Sequence, residues 1–195
     1  LALTALYTAL IVWIVGLAVP VTASYIICAV IAAPALITLG VPDFAAHMFV
    51  FYYALLSEVS PPTALSCFAA AAITGGDPYK TTLQAWKYTM PAFVVPFFFV
   101  LDPLGTGVLL MPPKGAAWAD VLGVLALIFV AITALAAGLQ GWLFKKTTTL
   151  ERCLLVLSGA LVIVPVNSLD ALGVGLFGFV LFLQFARRKP VPALP

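Results

Sequence analysis

Apolar residues run along this chain in long stretches, and short polar segments punctuate them. The first stretch, 3–15, gives way to "GLAVPVTAS" at 16–24 and resumes over 25–39. "GVPD" at 40–43 reads as a turn. Residues 44–56 are apolar, "SEVSPPTALS" at 57–66 interrupts them, and the apolar run continues to 73, before the loop signal "TGGDP". In "YKTTLQAWKYTM", Tyr79, Leu83, Trp86 and Met90 fall at helical spacing on one face, with Lys80, Gln84 and Lys87 turned away. That pattern predicts an amphipathic helix over 79–90 lying in a membrane interface. A span over 91–110 follows, with Pro96 inside it and Asp102-Pro103 as a soft break. Residues 118–144 predict a long spanning helix with tryptophan near each end. The basic loop "KKTTTLER" leads to two shorter apolar segments, 153–164 and 169–185, and the chain closes on "RRKPVPALP".

Composition turns this pattern into a class. Of the 195 residues, 64% are hydrophobic and 8% charged, against roughly a quarter charged in soluble domains. The expectation is an all-α integral membrane protein, solvated by the lipid bilayer and without nucleic-acid partners. The ten-residue alternation of a membrane barrel is missing. Cys28, Cys67 and Cys153 are far apart with no histidine near them, which fits small residues of a membrane core and no transition-metal site. The start lacks the features of a signal peptide, so the chain reads as the C-terminal part of a longer protein.

Charge placement gives orientation. With the loop at 145–152 and the tail at 187–195 in the cytoplasm, Lys80 and Lys87 are also inside and only Lys114 is outside. That asymmetry obeys the positive-inside rule. Segment 44–73 then crosses once as a broken helix. Segment 3–39 is either two spans or a re-entrant hairpin, and its uncharged Gly, Pro, Thr and Ser turn suits a buried hairpin tip.

The breaks carry the candidate chemistry. In hydrocarbon, a broken helix survives only where its freed backbone groups are buried in protein or line a cavity. Pro61 and Pro62 remove two donors, and Pro20 marks the other break. If the helix restarts at Pro61-Pro62, Ser60, Thr63 and Ser66 line one side of it. Carbonyls and hydroxyls together suit a small alkali cation, and secondary transporters use discontinuous helices in this way. The competing reading is a proline kink whose hydroxyls bond back to the preceding turn. Glu58, an acid inside an apolar segment, could balance a cation, carry a proton or simply reach a polar cavity. His47 reads as an interfacial or helix-packing residue, and Asn167 and Asp170 as capping residues.

With those residues in view, the chain over about 10–103 resembles the C-terminal half of the large membrane subunit of TRAP transporters, in particular fused permeases working with TAXI-type binding proteins. Members read like G-M-G-x-P-T-x-A-x-Y at the first break. They read like H-x-F-V-F-Y…L-S-x-x-T-P-P-x-A-L-A at the second, then G-x-D-P-x-x-T. The resemblance implies the C-terminal inverted repeat of an elevator-type sodium symporter with no enzymatic activity. Its transport region would cover 1–110, with a hairpin at 3–39 and a broken helix at 44–73. The helices of 118–186 would be extra C-terminal spans, and 187–195 a cytoplasmic tail. It implies a coupling Na⁺ between the tip at Gly16 and Ala18 and the oxygens of Ser60, Thr63 and Ser66, with Thr22, Ser24 and Glu58 near the cavity. A periplasmic TAXI-type binding protein would deliver an organic anion, and the remainder of the permease would supply the first repeat. This chain departs from the family pattern at Ala18, Val21 and Ser60, and Ser60 keeps the hydroxyl of the usual threonine. The alternatives are a proton- or sodium-coupled carrier needing no binding protein, and an assembly subunit with both breaks packed shut.

Overall fold

The computed structural model describes residues 1–186. The proposed tail at 187–195 lies outside the described residues. The described chain is helical throughout: α1 (Ala2–Gly16), α2 (Val21–Ile31), α3 (Ala33–Ile37), α4 (Asp43–Leu56), α5 (Leu65–Thr74), α6 (Pro78–Thr89), α7 (Val95–Leu101), α8 (Trp118–Gln140), α9 (Thr149–Val162) and α10 (Asn167–Ala186). It forms two units, Leu1–Ile128 and a second from Phe129 onward, and their boundary falls inside α8.

In the first unit α1, α2 and α3 all pack on α4. The buried face of α1 is a stripe of small residues, Ala5, Ala9 and Gly16 with Thr8 and Val12, at helical spacing. It meets Ala45, Ala46, Phe49, Val50, Tyr53 and Ala54 of α4 within one core. Small residues let two helix backbones approach closely where lipid gives no hydrophobic drive for association. α3 returns to contact α1, so α1, α2 and α3 together double back through the turn at 17–20. Tyr25 of α2 is joined to His47 of α4 by a 3.0 Å hydrogen bond, which gives His47 a helix-packing role.

Two elements differ from the sequence expectation. Residues 91–110 fold as a 3-10 turn over Met90–Val94, the short α7 and a second 3-10 turn over Gly105–Leu109; α7 stops at the expected Asp102-Pro103 break, and the first 3-10 turn is the unexpected interruption. Pro91 and Pro96 each lack the N–H that an unbroken ladder needs. The long helix expected to reach residue 144 ends at Gln140, because Gly141 takes φ +79° and the chain turns through a Trp142–Lys146 bridge. α6 forms as expected, started by Pro78 and capped by Asp77, whose Oδ1 accepts from the Lys80 amide at 2.8 Å. It buries Thr82, packs Tyr79 edge-on against Phe68 of α5 and leaves Trp86 half-buried, while Leu83 is exposed.

Among the described residues α8 and α10 are the helices long and apolar enough to cross a bilayer. In the second unit, Thr148 and Glu151 form a reciprocal capping box that starts α9. The Glu151 carboxylate also accepts from Gln184 of α10 at 3.0 Å, and Gln184 in turn accepts from the Lys145 amide at 3.1 Å. Ser158 of α9 donates to the Gly173 carbonyl of α10 at 2.6 Å. Asn167 opens α10 and Asp170 sits in its first turn, where an acid suits the positive helix end.

Gly173 and Gly175 provide a paired test. A Cβ on Gly173 would lie 2.5 Å from Val162 Cγ2 and 2.9 Å from the Ser158 carbonyl, whereas one on Gly175 would meet nothing within 4 Å. Gly173→Ala is expected to cost about 1–3 kcal/mol, and Gly175→Ala to be neutral or stabilising by up to about 1 kcal/mol. Thermal unfolding midpoints of the two detergent-solubilised variants check this, and equal midpoints would contradict the close α9–α10 packing.

Candidate functional site

The two breaks in the first unit face each other. Residues 16–20 and, across from them, Ser57, Glu58, Thr63, Ala64 and Leu65 line a shared cavity of about 240 Å³. Both sides present backbone oxygens without backbone partners. After α1 the chain needs an N–H at position 20 to satisfy the Gly16 carbonyl, and Pro20 has none. Among the described residues no backbone N–H reaches the carbonyls of Gly16, Leu17, Ala18 or Val19. On the other side a 3-10 turn over Ser57–Val59 ends α4, and the Pro62 and Thr63 carbonyls are likewise without a backbone N–H.

The restart of the broken helix corrects the sequence reading. α5 begins at Leu65, not at Pro61-Pro62, and Ala64 before it takes φ +20°. Ser60, Thr63 and Ser66 therefore do not share one helical face. Ser60 is fully buried. Its hydroxyl donates to the Leu56 carbonyl at 2.8 Å and accepts from Trp13 Nε1 of α1 at 2.9 Å. Ser66 donates across the break to the Glu58 carbonyl at 2.9 Å. Thr63 lines the cavity and makes no side-chain hydrogen bond among the described residues. Back-bonding to the preceding turn thus occurs at Ser60, and also at Ser57, which donates to the Ala54 carbonyl at 2.7 Å.

Of the other sequence candidates, Gly16, Ala18, Pro20 and Glu58 line the cavity, and Pro61, Pro62 and Thr22 do not. Ser24 lies fully buried one turn into α2, with its hydroxyl unpaired. Two residues escaped the sequence reading. Ser57 lines the cavity, and a Cβ placed on Gly16 would come within 2.7 Å of Ser57 Cβ and 3.2 Å of Ser24 Oγ. Gly16 is therefore where the hairpin turn touches the broken helix. Trp13 is the second, and it ties α1 to the break through Ser60. Its signal in the sequence is its place three residues before Gly16, one helical turn from the tip.

Groups of this kind bind without bond chemistry. The cavity offers carbonyls, the Thr63 and Ser57 hydroxyls and one carboxylate, a hard-oxygen set suited to an alkali cation. A hydroxyl that donates to a carbonyl still has lone pairs for a cation, so back-bonding leaves Ser57 available. Among the described residues no cluster of three or more His, Cys, Asp or Glu is placed to hold a metal ion. A family model described as "Tripartite ATP-independent periplasmic transporter, DctM component" matches residues 2–105. The chain belongs to this family. No curated protein and no solved structure matches it. The matched region takes in both breaks, so the cavity lies in the part of the chain that defines a TRAP membrane component. The larger cavity of the same unit, about 760 Å³, is lined by Asp102, Thr106 and Lys114 among mostly apolar residues. It contains none of the break residues.

Gly16→Val is expected to drive the tip off Ser57 and destabilise the first unit by about 1–3 kcal/mol. Ala18→Gly, at the exposed tip, should change stability by less than about 1 kcal/mol. Thermal midpoints decide: a Gly16→Val variant as stable as the parent would contradict the close approach of the two breaks.

Proposed function

We propose that this TRAP membrane component is the sodium-coupled permease part of a TAXI-type system, importing an organic anion delivered by a periplasmic binding protein. The observation that carries the reading is the cavity between the two breaks, with unpaired carbonyls on both sides. Na⁺ would sit between the Gly16–Ala18 carbonyls and the Thr63 side, with the Ser57 hydroxyl beside it and the Glu58 charge near it. Ser60 and Ser66 act one step back: their hydroxyls fix the break through Trp13, Leu56 and Glu58. α1–α3 act as a re-entrant hairpin, and hairpin and broken helix move together as an elevator between the two faces of an inner membrane. The C-terminal side is cytoplasmic by the distribution of its basic residues. The family description, a component of a tripartite periplasmic transporter, favours this reading over a carrier that works without a binding protein.

Reconstitution of the assembly with its binding protein into proteoliposomes tests the coupling. Uptake should require an inward sodium gradient, and uptake unchanged when sodium is equal on both sides would defeat the proposal. Thr63→Ala removes one oxygen of the proposed set and should raise the half-saturating sodium concentration about tenfold. An unchanged sodium dependence would remove Thr63 from the site.

A further inference from the structure

The second unit carries a groove that the transport reading does not use. It encloses about 540 Å³ between α8 and α9 and is lined by Gly138, Leu139, Arg152, Cys153, Val156 and Leu157 among others. One end is cationic. Arg152 Nε donates to the Gly138 carbonyl at 2.9 Å and its Nη2 to the Leu139 carbonyl at 3.2 Å. These bonds satisfy the last carbonyls of α8 and fix the plane of the guanidinium. The rest of its fork of N–H groups is left for another acceptor. Thr149 lines the same groove, and among the described residues no acidic one lines it. Glu151, the acid next in sequence, is turned into the α9–α10 contact, where it is almost fully buried.

The other end is apolar. Val156 and Leu157 follow Arg152 down α9 and are 36% and 50% exposed. At a rise of about 1.5 Å per residue their backbones lie about 6–8 Å further along α9 than that of Arg152, with Ala160 about 12 Å along. Gly138 brings the helices together at the floor, since a Cβ there would meet Val156 Cγ2 at 2.8 Å. Trp142 and Phe144 in the adjoining turn are exposed, which suits headgroup depth in a bilayer.

A fixed cation at headgroup depth, above an apolar trough running along a spanning helix, matches an anionic phospholipid. The phosphate meets the open side of Arg152, and an acyl chain lies over Val156, Leu157 and Ala160. We propose that the α8–α9 groove is a binding site for an anionic phospholipid such as phosphatidylglycerol. Basic pockets between membrane helices select such headgroups by charge.

Cys153 lines the groove and is exposed, whereas Cys28 and Cys67 are buried, so a thiol-linked photo-crosslinker can be placed on it selectively. The full-length protein carrying this probe would be put into nanodiscs of equal phosphatidylglycerol and phosphatidylcholine, illuminated and analysed by mass spectrometry. Phosphatidylglycerol adducts should dominate, and Arg152→Gln should lower their yield about fivefold. Ala160→Phe fills the trough but keeps Arg152 and its carbonyl bonds, so it should lower the yield similarly in a folded protein. Equal capture of the two lipids, capture of polypeptide in place of lipid, no lipid adduct, or an Ala160→Phe protein that labels like the parent would each overturn the proposal.

Discussion

A backbone carbonyl in a bilayer has no water to turn to, and prolines placed after it take away its N–H partner. That constraint organises the first unit. Pro20 ends the pairing of the α1 carbonyls, and Pro61 and Pro62 end the α4 ladder. Gly16–Val19 and Thr63, whose carbonyls have no backbone N–H among the described residues, line one cavity, while the Ser57 and Glu58 carbonyls that Pro61 and Pro62 leave behind are taken by the Ser60 amide and the Ser66 hydroxyl. The rest of the unit brings the two ends there. The small-residue face of α1 lets that helix lie close on α4, Gly16 lets the tip touch Ser57, and the Trp13–Ser60 bond holds α1 against the break. Closing the cavity without a ligand would strand polar groups at a cost of about 1–3 kcal/mol each, which is the physical basis of the proposed cation site.

Much of this was legible because the residues that mark the breaks also cause them. Proline has no N–H in any context, so "SPP" and the Pro20 turn could be read as interruptions without knowing the fold. The family resemblance over about 10–103 agrees with the match over 2–105 for the same reason, since its motifs are the breaks themselves. What the sequence hid was geometry set by packing. The restart of α5 at Leu65 depends on the backbone of Ala64, an alanine with no turn signature of its own. With that restart three residues later than expected, the stripe of Ser60, Thr63 and Ser66 dissolves into three different roles. Ser57 and Trp13 were invisible for a related reason. Each is an ordinary residue in a membrane helix until the partner helix is in place. In the Phe-rich run at 91–110 the break at Asp102-Pro103 was legible from its proline, whereas the 3-10 turn over Met90–Val94 was not.

The second unit solves the backbone problem with side chains in place of a cavity. Arg152 takes the terminal α8 carbonyls, the Thr148–Glu151 box satisfies the start of α9, and Gln184 links that box to α10. These groups are satisfied within the protein, and the outer side of the Arg152 guanidinium stays open. The contrast between the units is chemical: one leaves oxygens open, the other leaves a guanidinium open.

The two opposed breaks are proposed to form one sodium site. Thermal unfolding of the purified protein in rising NaCl, with KCl and choline chloride at matched ionic strength as controls, tests it most directly. A ligand that binds only the folded state raises stability by about RT ln(1 + [L]/Kd). The midpoint should climb with sodium and not with potassium or choline, and the climb should be lost when Thr63→Ala and Ser57→Ala are combined. An equal response to all three salts, or a sodium response unchanged in the double variant, would contradict it.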